Sequence, residues 1–140
     1  MQRDSAAVRI TSTLETMERA IAMLPGDDIS VAKKFYGDGL GFNVAWEASD
    51  DGKNGLVGFE RGGMELTVDC PMAGHGRQVC VSLRVENADA YYQEWQQRVN
   101  VNRAPRNEDW GARTFDLTDP FGNTVFVIGP VTSSSVSFNT

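Results

Sequence analysis

Three polar side chains alternate along one short segment and are suited to holding a positively charged ligand. Glu65, Thr67 and Asp69 are separated by Leu66 and Val68, and alternate residues of a β-strand point to the same face of a sheet. Two carboxylates on one face attract a cation, more strongly where water is partly excluded. A solvated strand edge is the other interpretation of the same pattern, and both stay open at this point.

Metal and nucleophile chemistry have few candidate residues in this chain. His75 is the single histidine, which excludes any site that needs two histidines from one chain, such as an H-E-x-x-H zinc site. Its Gly-rich surroundings favour a solvated loop histidine. The two cysteines, Cys70 and Cys80, are too few for a disulfide framework, and no base is indicated beside Cys80. Glycine-rich phosphate loops and the G-x-S-x-G motif are missing.

Composition and charge narrow the class of protein further. The chain has 140 residues, of which 41% are hydrophobic and 23% charged, as is typical of one folded domain. Thirteen basic and nineteen acidic residues give a net charge of −6, which argues against nucleic acid or anionic lipid as the main partner. No apolar run predicts a membrane span and no secretory pattern begins the chain, so we expect a cytoplasmic protein with reduced thiols.

The order of the predicted elements repeats along the chain. Apolar periodicity and turn residues predict a strand, a helix and three strands, then a linker, then a strand, a helix and further strands. The first set covers 18–24, 29–39, 42–47, 56–61 and 64–69, and the second covers 79–85, 88–99, 113–118 and 123–128. Asp27 or Asp28 is suited to cap the first helix, and Asn87 the second.

This order predicts an α+β fold of two βαβββ modules, which form a curved mixed sheet with a concave ligand face and helices outside. We expect the domain to span 18–130, with modules at about 18–70 and 78–130, between an N-terminal arm at 1–17 and a flexible tail at 131–140. Strand parity turns Val81 and Leu83 towards a helix and leaves Cys80, Ser82 and Arg84 on the other face.

Four segments of the chain, taken in order, carry a resemblance to a known superfamily. They are V-A-K-K-F-Y-G-D-G-L-G-F at 31–42, M-E-L-T-V-D at 64–69, V-S-L-R-V-E-N at 81–87 and D-P-F-G-N-T-V-F-V at 119–127. In these segments the chain resembles the vicinal oxygen chelate superfamily, which includes glyoxalase I, extradiol dioxygenases, fosfomycin-resistance enzymes and bleomycin-resistance proteins. The segments A-Y-Y-Q-E-W at 90–95 and W-G-A-R-T-F-D-L-T-D-P-F-G-N at 110–123 are most similar to the bleomycin-resistance type.

The resemblance implies four positions at which related enzymes hold a divalent metal ion. In this sequence they are occupied by Ile21, Glu65, Cys80 and Phe126. Only Glu65 offers a hard oxygen ligand, and one carboxylate with one thiolate completes neither a tetrahedral nor an octahedral site. We therefore predict no metal site, no cofactor and no catalytic residue.

The resemblance also implies which aromatic residues contact the ligand. Trp110 corresponds to a tryptophan that stacks on planar ligand rings, with an aromatic residue that anchors its loop as the alternative. Trp46 corresponds to an aromatic position that faces the drug groove. Strand parity pairs Trp46 with Val44, which leaves core packing as its alternative. Phe59 and Phe115 are similar cases, each either a ligand contact or a core residue.

Arg113 belongs to the W-G-x-R string and is either a ligand contact or an internal ion-pair partner of Asp116 or Glu65. The predicted ligand-binding set therefore consists of Trp46, Phe59, Glu65, Thr67, Asp69, Trp110, Arg113 and Phe115.

The leading hypothesis is a non-catalytic protein that sequesters a bleomycin-like antibiotic or another cationic ligand with planar rings. A metal-dependent lyase or dioxygenase of the same superfamily is the alternative, and a regulatory or chaperone-like ligand-binding module is a third. The resemblance implies a homodimer. It also implies exchange of the first strand, helped by a proline in it, but here that position is Ala22 and the nearest proline is Pro25, which weakens this expectation.

Overall fold

The computed structural model describes residues 18–71 and 78–132. The predicted arm at 1–17, the linker residues 72–77 with His75, and the tail from 133 onward lie outside the described residues. None of the helices in the described ranges is long and apolar enough to span a membrane.

Eight strands and two helical segments repeat one order of elements. Helix α1 begins as an α-helix at Ile29–Ala32 and continues as a π-helix at Lys33–Gly39, and helix α2 is Ala88–Trp95. The strands of the first module are β1 Ala22–Pro25, β2 Asn43–Ala48, β3 Gly55–Arg61 and β4 Met64–Cys70. Those of the second are β5 Cys80–Arg84, β6 Arg106–Asn107, β7 Ala112–Thr118 and β8 Thr124–Pro130.

The predicted α+β fold of two βαβββ modules is confirmed, with one difference in how the strands join. The described strands form two separate four-stranded sheets, ordered β1-β4-β3-β2 and β5-β8-β7-β6, rather than one continuous sheet. In each sheet the first strand of the module pairs in parallel with the last, and the other pairs are antiparallel. The two-residue strand β6 is the element that the sequence pattern missed.

Side-chain caps start both helices where the sequence predicts them. Asp28 accepts a hydrogen bond from the backbone nitrogen of Ser30 at 2.8 Å, and Asn87 accepts one from the nitrogen of Ala90 at 3.1 Å. Each cap satisfies a backbone donor that the first helical turn leaves unpaired. Helix α2 ends at Trp95, four residues before its predicted end at 99.

The hydrophobic core joins the helix-facing sides of both sheets. Leu66, Val68, Val125 and Val127 lie in it with Trp95, and each is at most 1% exposed. Tyr36 of α1 contacts Phe59 with ring centroids 5.5 Å apart. Because one core serves both modules, each sheet has one face against the helices and a second face, which we call its open face.

A buried carboxylate links the two modules. Asp119 is 4% exposed, and its side chain accepts hydrogen bonds from the Tyr36 hydroxyl at 2.7 Å and the Asn123 side-chain nitrogen at 2.9 Å. It also accepts hydrogen bonds from the backbone nitrogens of Phe121 and Asn123. The Asn123 side chain in turn donates to the carbonyl oxygen of Pro25 in β1 at 2.9 Å. A buried charge with four donors is stable, whereas one that loses a donor is costly.

Replacing Tyr36→Phe removes the one side-chain donor that reaches Asp119 from the first module. We expect the free energy of unfolding to fall by about 1–3 kcal/mol in urea titrations, because a buried carboxylate loses a hydrogen bond.

Burial and the Asp119 charge also raise the pKa of Tyr36 well above 10.0. Above that pH the unfolded tyrosine loses its proton before the folded one, so wild-type stability falls as pH rises, and the variant lacks this contribution.

Tyr92→Phe is the matched control. Tyr92 is half-buried, packs edge-on against Phe115 at 5.7 Å, and its hydroxyl has no hydrogen-bond partner in the described part of the chain. We expect a change within about 0.5 kcal/mol. Equal losses in the two variants would contradict the role given to Asp119.

Candidate functional site

Strand register decides which side chains reach the open face of the first sheet. Opposite residues of neighbouring strands share a face, and the register pairs Glu60 with Glu65, Gly58 with Thr67, and Leu56 with Asp69. The predicted grouping of Glu65, Thr67 and Asp69 on one face is therefore what the structure has. Met23 joins them from β1, opposite Thr67, and is 47% exposed.

Trp46 lies on this open face because of an irregularity in β2. The register skips Ala45, so that Val44 pairs with Phe59 while Trp46 pairs with Gly58. Such a β-bulge reverses the alternation of side chains beyond it. The expectation that Trp46 and Val44 share a face is therefore wrong.

The indole of Trp46 lies directly over Gly58. A Cβ atom at Gly58 would overlap the ring, with Nε1, Cε2 and Cδ1 as its nearest atoms. Gly58 therefore makes room for the indole to lie against the sheet beside Thr67, and the ring is half-buried. An aromatic surface held in this way is suited to stacking against a planar ligand.

The carboxylates of the open face differ in how far they are already neutralised. Glu65 forms an ion pair with Arg19 at 2.9 Å, and Glu60 accepts a hydrogen bond from the Asn43 side chain at 3.1 Å. The half-buried Asp69 side chain has no hydrogen-bond or ion-pair partner among residues 18–71 and 78–132. It lines a cleft of about 460 Å³ together with Asp50 and Asp51. Of the Glu60, Glu65 and Asp69 carboxylates, that of Asp69 is therefore the least neutralised by neighbouring side chains.

Asp51 organises the loop beside this cleft. It accepts hydrogen bonds from the backbone nitrogens of Lys53 and Asn54 at 2.9 and 2.8 Å. The backbone donors of Asn54 and Lys53 lower the pKa of Asp51 to about 2. The group therefore remains ionised at neutral pH.

Phe59 and Phe115, which the sequence analysis includes in the ligand-binding set, lie in the core instead. Both rings point to the helix side, where Phe59 packs on Tyr36 and Phe115 packs on Trp95 with centroids 6.2 Å apart. They are 1% and 0% exposed, so neither reaches a ligand on an open face. The core alternative applies to both.

Arg113, also included in the predicted ligand-binding set, forms an ion pair within the protein instead. It lies opposite Gly129 in β8, on the helix side of the second sheet, and makes a two-pronged ion pair with Asp89 at 2.9 and 3.1 Å. Asp89 belongs to the first turn of α2, so the pair ties the helix to the sheet. The predicted partners Asp116 and Glu65 bind other arginines.

The partner of Asp116 is Arg103, which sequence reasoning overlooked. The Arg103 guanidinium donates to Asp116 at 2.9 Å, to the Thr114 carbonyl at 2.7 Å and to the Thr114 hydroxyl at 2.9 Å. Thr114 and Asp116 alternate with Phe115, so this network occupies the open face of the second sheet along β7. No motif marks Arg103, because its role depends on a loop folding back over the strand.

Trp110 lies apart from Trp46, in the second module. It is 63% exposed and precedes Gly111, whose φ of 97° is a backbone conformation that glycine adopts readily. Trp110 lines a cleft of about 1010 Å³ with Arg84, Tyr91, Ile128 and others. In one chain, the structure therefore brings Trp46, Glu65, Thr67 and Asp69 together and leaves Trp110 at a different cleft.

The four positions that related enzymes use for a metal do not form a donor set here. Ile21 and Phe126 are hydrocarbon side chains, Glu65 is ion-paired with Arg19, and Cys80 lies on the other sheet. Across the described ranges, no three His, Cys, Asp or Glu residues are placed to hold a metal ion. The residues at these positions therefore do not fit a divalent metal ion.

The two cysteines are both free, but only one is accessible. Burial, followed by the charges of Asp69 and Asp27, raises the pKa of Cys70 to about 11. Its thiol is therefore protonated at neutral pH and a poor nucleophile. Cys80 is exposed at the start of β5.

The architecture matches solved structures of known proteins at low identity. A bleomycin-binding protein in complex with bleomycin is 21% identical, with a TM-score of 0.68 over 82% of this chain and all of that one. The bleomycin resistance determinant of transposon Tn5 is also 21% identical, with a TM-score of 0.67 over 83% and 100%. TnmS3, an antibiotic-binding protein from Streptomyces sp. CB03234, is 23% identical, with 0.63 over 82% and 99%.

At such identities these structures establish the shared fold. None of the curated protein sequences matches the chain. The profile of a family described as glyoxalase superfamily protein matches residues 6–132, nearly the whole of the 140-residue sequence. The resemblance seen in the sequence is therefore confirmed: the chain belongs to the glyoxalase superfamily.

Proposed function

We propose that this protein binds a cationic antibiotic with planar rings, of the bleomycin type, and sequesters it without chemical change. The observation that carries the proposal is the Trp46 indole, held over Gly58 on an open sheet face beside Glu60, Glu65 and Asp69. A ring stacked on Trp46 brings a cationic group on the ligand towards these carboxylates. The folds of bleomycin-binding and antibiotic-binding proteins support the same class of ligand.

Charge favours a cationic ligand over an anionic one. The chain carries a net charge of −6, and Glu60 lies directly opposite Glu65 on the open face. Two carboxylates facing each other repel, so a ligand cation between them relieves that repulsion. Arg19 already does this in part at Glu65, which leaves Asp69 as the stronger attraction for a ligand.

The proposal includes a homodimer located in the cytoplasm. Ile21 and Met23 of the edge strand region are 41% and 47% exposed, and neighbouring exposed apolar side chains are typical of a surface that another chain covers. An edge strand also offers unpaired backbone groups to a partner. A second copy would enclose the ligand more fully than one open sheet.

Trp46→Ala and Gly58→Ala test the stacking surface from both sides. We expect each to weaken bleomycin binding about tenfold, because the first removes the ring and the second displaces it. Isothermal titration calorimetry measures the affinity, with wild-type binding expected at micromolar concentrations or below. Gly58 has no positive φ, so the added methyl group does not strain the backbone.

Val44→Ala is the control for this pair. Val44 lies two residues away on the opposite side of the bulge and is 43% exposed, so binding should not change. An absence of saturable heat with wild-type protein at tens of micromolar bleomycin would contradict the ligand class. Equal loss in all three variants would contradict the site.

The unequal pairing of the carboxylates gives a second test. Asp69→Asn should weaken binding of the cationic ligand by about fivefold at low salt, with a smaller effect at high salt because screening already weakens the attraction. Glu65→Gln should have less effect, since Arg19 neutralises Glu65 in the free protein. Asp38→Asn on the exposed side of α1 removes the same charge elsewhere and should leave binding unchanged.

Metal analysis tests the non-catalytic part of the proposal. Protein incubated with zinc or manganese and then dialysed should retain no stoichiometric metal by mass spectrometry, because the four family positions supply only one oxygen ligand and one thiol. One tightly held ion per chain, lost in Glu65→Gln, would instead favour a metal-dependent lyase or dioxygenase.

A further inference from the structure

The strand pairing places the side chains of the first open face in three rows that cross the sheet. The middle row contains Gly58, with the Trp46 indole over it. Glu60 and Glu65 form the row on one side, and Asp69 belongs to the row on the other. Alternate residues of a strand are about 7 Å apart, so carboxylates lie at about that distance on both sides of the indole. The face therefore offers two positions for a cation, one beyond each end of a stacked ring.

One of the two positions already holds a cation that belongs to the chain. Arg19 precedes β1 by three residues, and its guanidinium donates a hydrogen bond to the Glu65 carboxylate at 2.9 Å. The exposed fractions of the two side chains are only 23% and 22%. The Arg19 guanidinium therefore lies against the sheet and binds the carboxylate that a ligand cation at this position would contact.

The two positions differ because the chain satisfies the carboxylates of only one. Glu60, opposite Glu65, accepts a hydrogen bond from the Asn43 side-chain nitrogen at 3.1 Å, so both carboxylates of this row have a donor. The Asp69 side chain has no such donor within 18–71 and 78–132. A carboxylate that is already paired with a guanidinium attracts a further cation only weakly. The position at Asp69 is therefore open, and the position at Glu65 is occupied by Arg19.

We propose that Arg19 determines ligand specificity at the open face, an inference that rests on the proposed function of that face. By occupying one of the two cation positions, Arg19 selects ligands whose positive charge lies at one end of a planar ring system. Such a ligand stacks on Trp46 with its charge towards Asp69 and leaves Arg19 in place. A ligand with a cationic group at both ends has to displace Arg19 from Glu65. That step exchanges one cation for another at the same carboxylate, so the second charge adds little affinity.

Two small aromatic cations test this selectivity without the antibiotic. Benzamidine carries one amidinium group on a planar ring, and benzene-1,4-dicarboxamidine carries one at each end. Calorimetry at about 0.15 M salt, where long-range attraction is screened, measures both dissociation constants. For the wild type we expect them to agree within about threefold. In Arg19→Gln, the dication should bind about tenfold more tightly than to the wild type, and benzamidine should change by about threefold or less.

Arg98→Gln is the matched control for the change in net charge. Arg98 pairs with Glu94 of α2 at 3.3 Å, and Arg61 continues to hold Glu94 in the variant. The same charge is therefore removed away from the open face. Neither amidine should bind this variant differently from the wild type.

A rescue experiment assigns the second cation position to Glu65. Asp69→Asn removes the open carboxylate and should weaken benzamidine binding about fivefold. Adding Arg19→Gln should restore the affinity to about the wild-type value, because Glu65 then becomes available to the ligand. Adding Arg98→Gln instead should restore nothing.

The outcomes separate Arg19 as a specificity determinant from Arg19 as a structural tie of β1. A structural tie predicts a lower urea midpoint in Arg19→Gln with an unchanged ratio of the two amidine affinities, and that result would overturn the proposal. An equal gain in Arg98→Gln, or no rescue of Asp69→Asn, would also overturn it. So would the absence of binding of either amidine to wild type and Arg19→Gln at about 20 mM.

Bleomycin titrations of the same proteins distinguish this inference from the proposed function. If the amidines behave as expected while bleomycin does not bind the wild type, the role of Arg19 is supported and the antibiotic is contradicted. If bleomycin binds while Arg19→Gln leaves the selectivity between the amidines unchanged, the antibiotic is supported and the role of Arg19 is contradicted.

Discussion

The buried carboxylate of Asp119 is the constraint on which the arrangement of the two modules depends. A charge that is 4% exposed has to be surrounded by donors, and those donors come from the β7–β8 turn and from α1. Asn123 extends the network to Pro25 in β1 and, through its side-chain oxygen, to the backbone nitrogen of Val79 before β5. Because these bonds have directions, they fix one orientation of the modules, which apolar packing alone would specify less sharply.

A second link between the modules supports the same orientation from the other end. Arg61 at the end of β3 donates to Glu94 in α2 and to the carbonyl oxygen of Leu40, which also accepts the Trp95 indole nitrogen at 3.0 Å. The two links together hold the helix-facing sides of the sheets in a common core. Neither link uses a side chain of the open faces, so substitutions there leave both links intact.

The fold was predictable because it depends on patterns that are local in sequence. Alternation in β4, the caps at Asp28 and Asn87, and the turn at 119–122 each identify an element without knowledge of its neighbours. Parity also placed Glu65, Thr67 and Asp69 correctly. Strand β6 was not predicted, because two residues are too few to show an alternating pattern.

The site was less predictable, because its side chains depend on pairings between distant segments. One skipped residue at Ala45 turns Trp46 to the open face, and nothing in the letters around it marks that bulge. The sequence left several acidic residues as possible ion-pair partners of Arg113. The packing of α2 on the second sheet determines that the partner is Asp89. Gly58, which pairs with Thr67 in the middle of β3, acquires its role solely from the indole ring that covers it.

The two modules have kept one architecture while their open faces have diverged in charge. Of the four positions that the family resemblance assigns to a metal, Ile21 and Phe126 carry hydrocarbon side chains. A metal ion shared by the two modules needs donor side chains from both, and two hydrocarbon side chains leave too few donors. Without a shared metal ion, the two open faces need not contact the same ligand. The first face carries carboxylates around Trp46, while the second carries an arginine-based network along β7. The two open faces therefore differ in charge although the modules share one architecture.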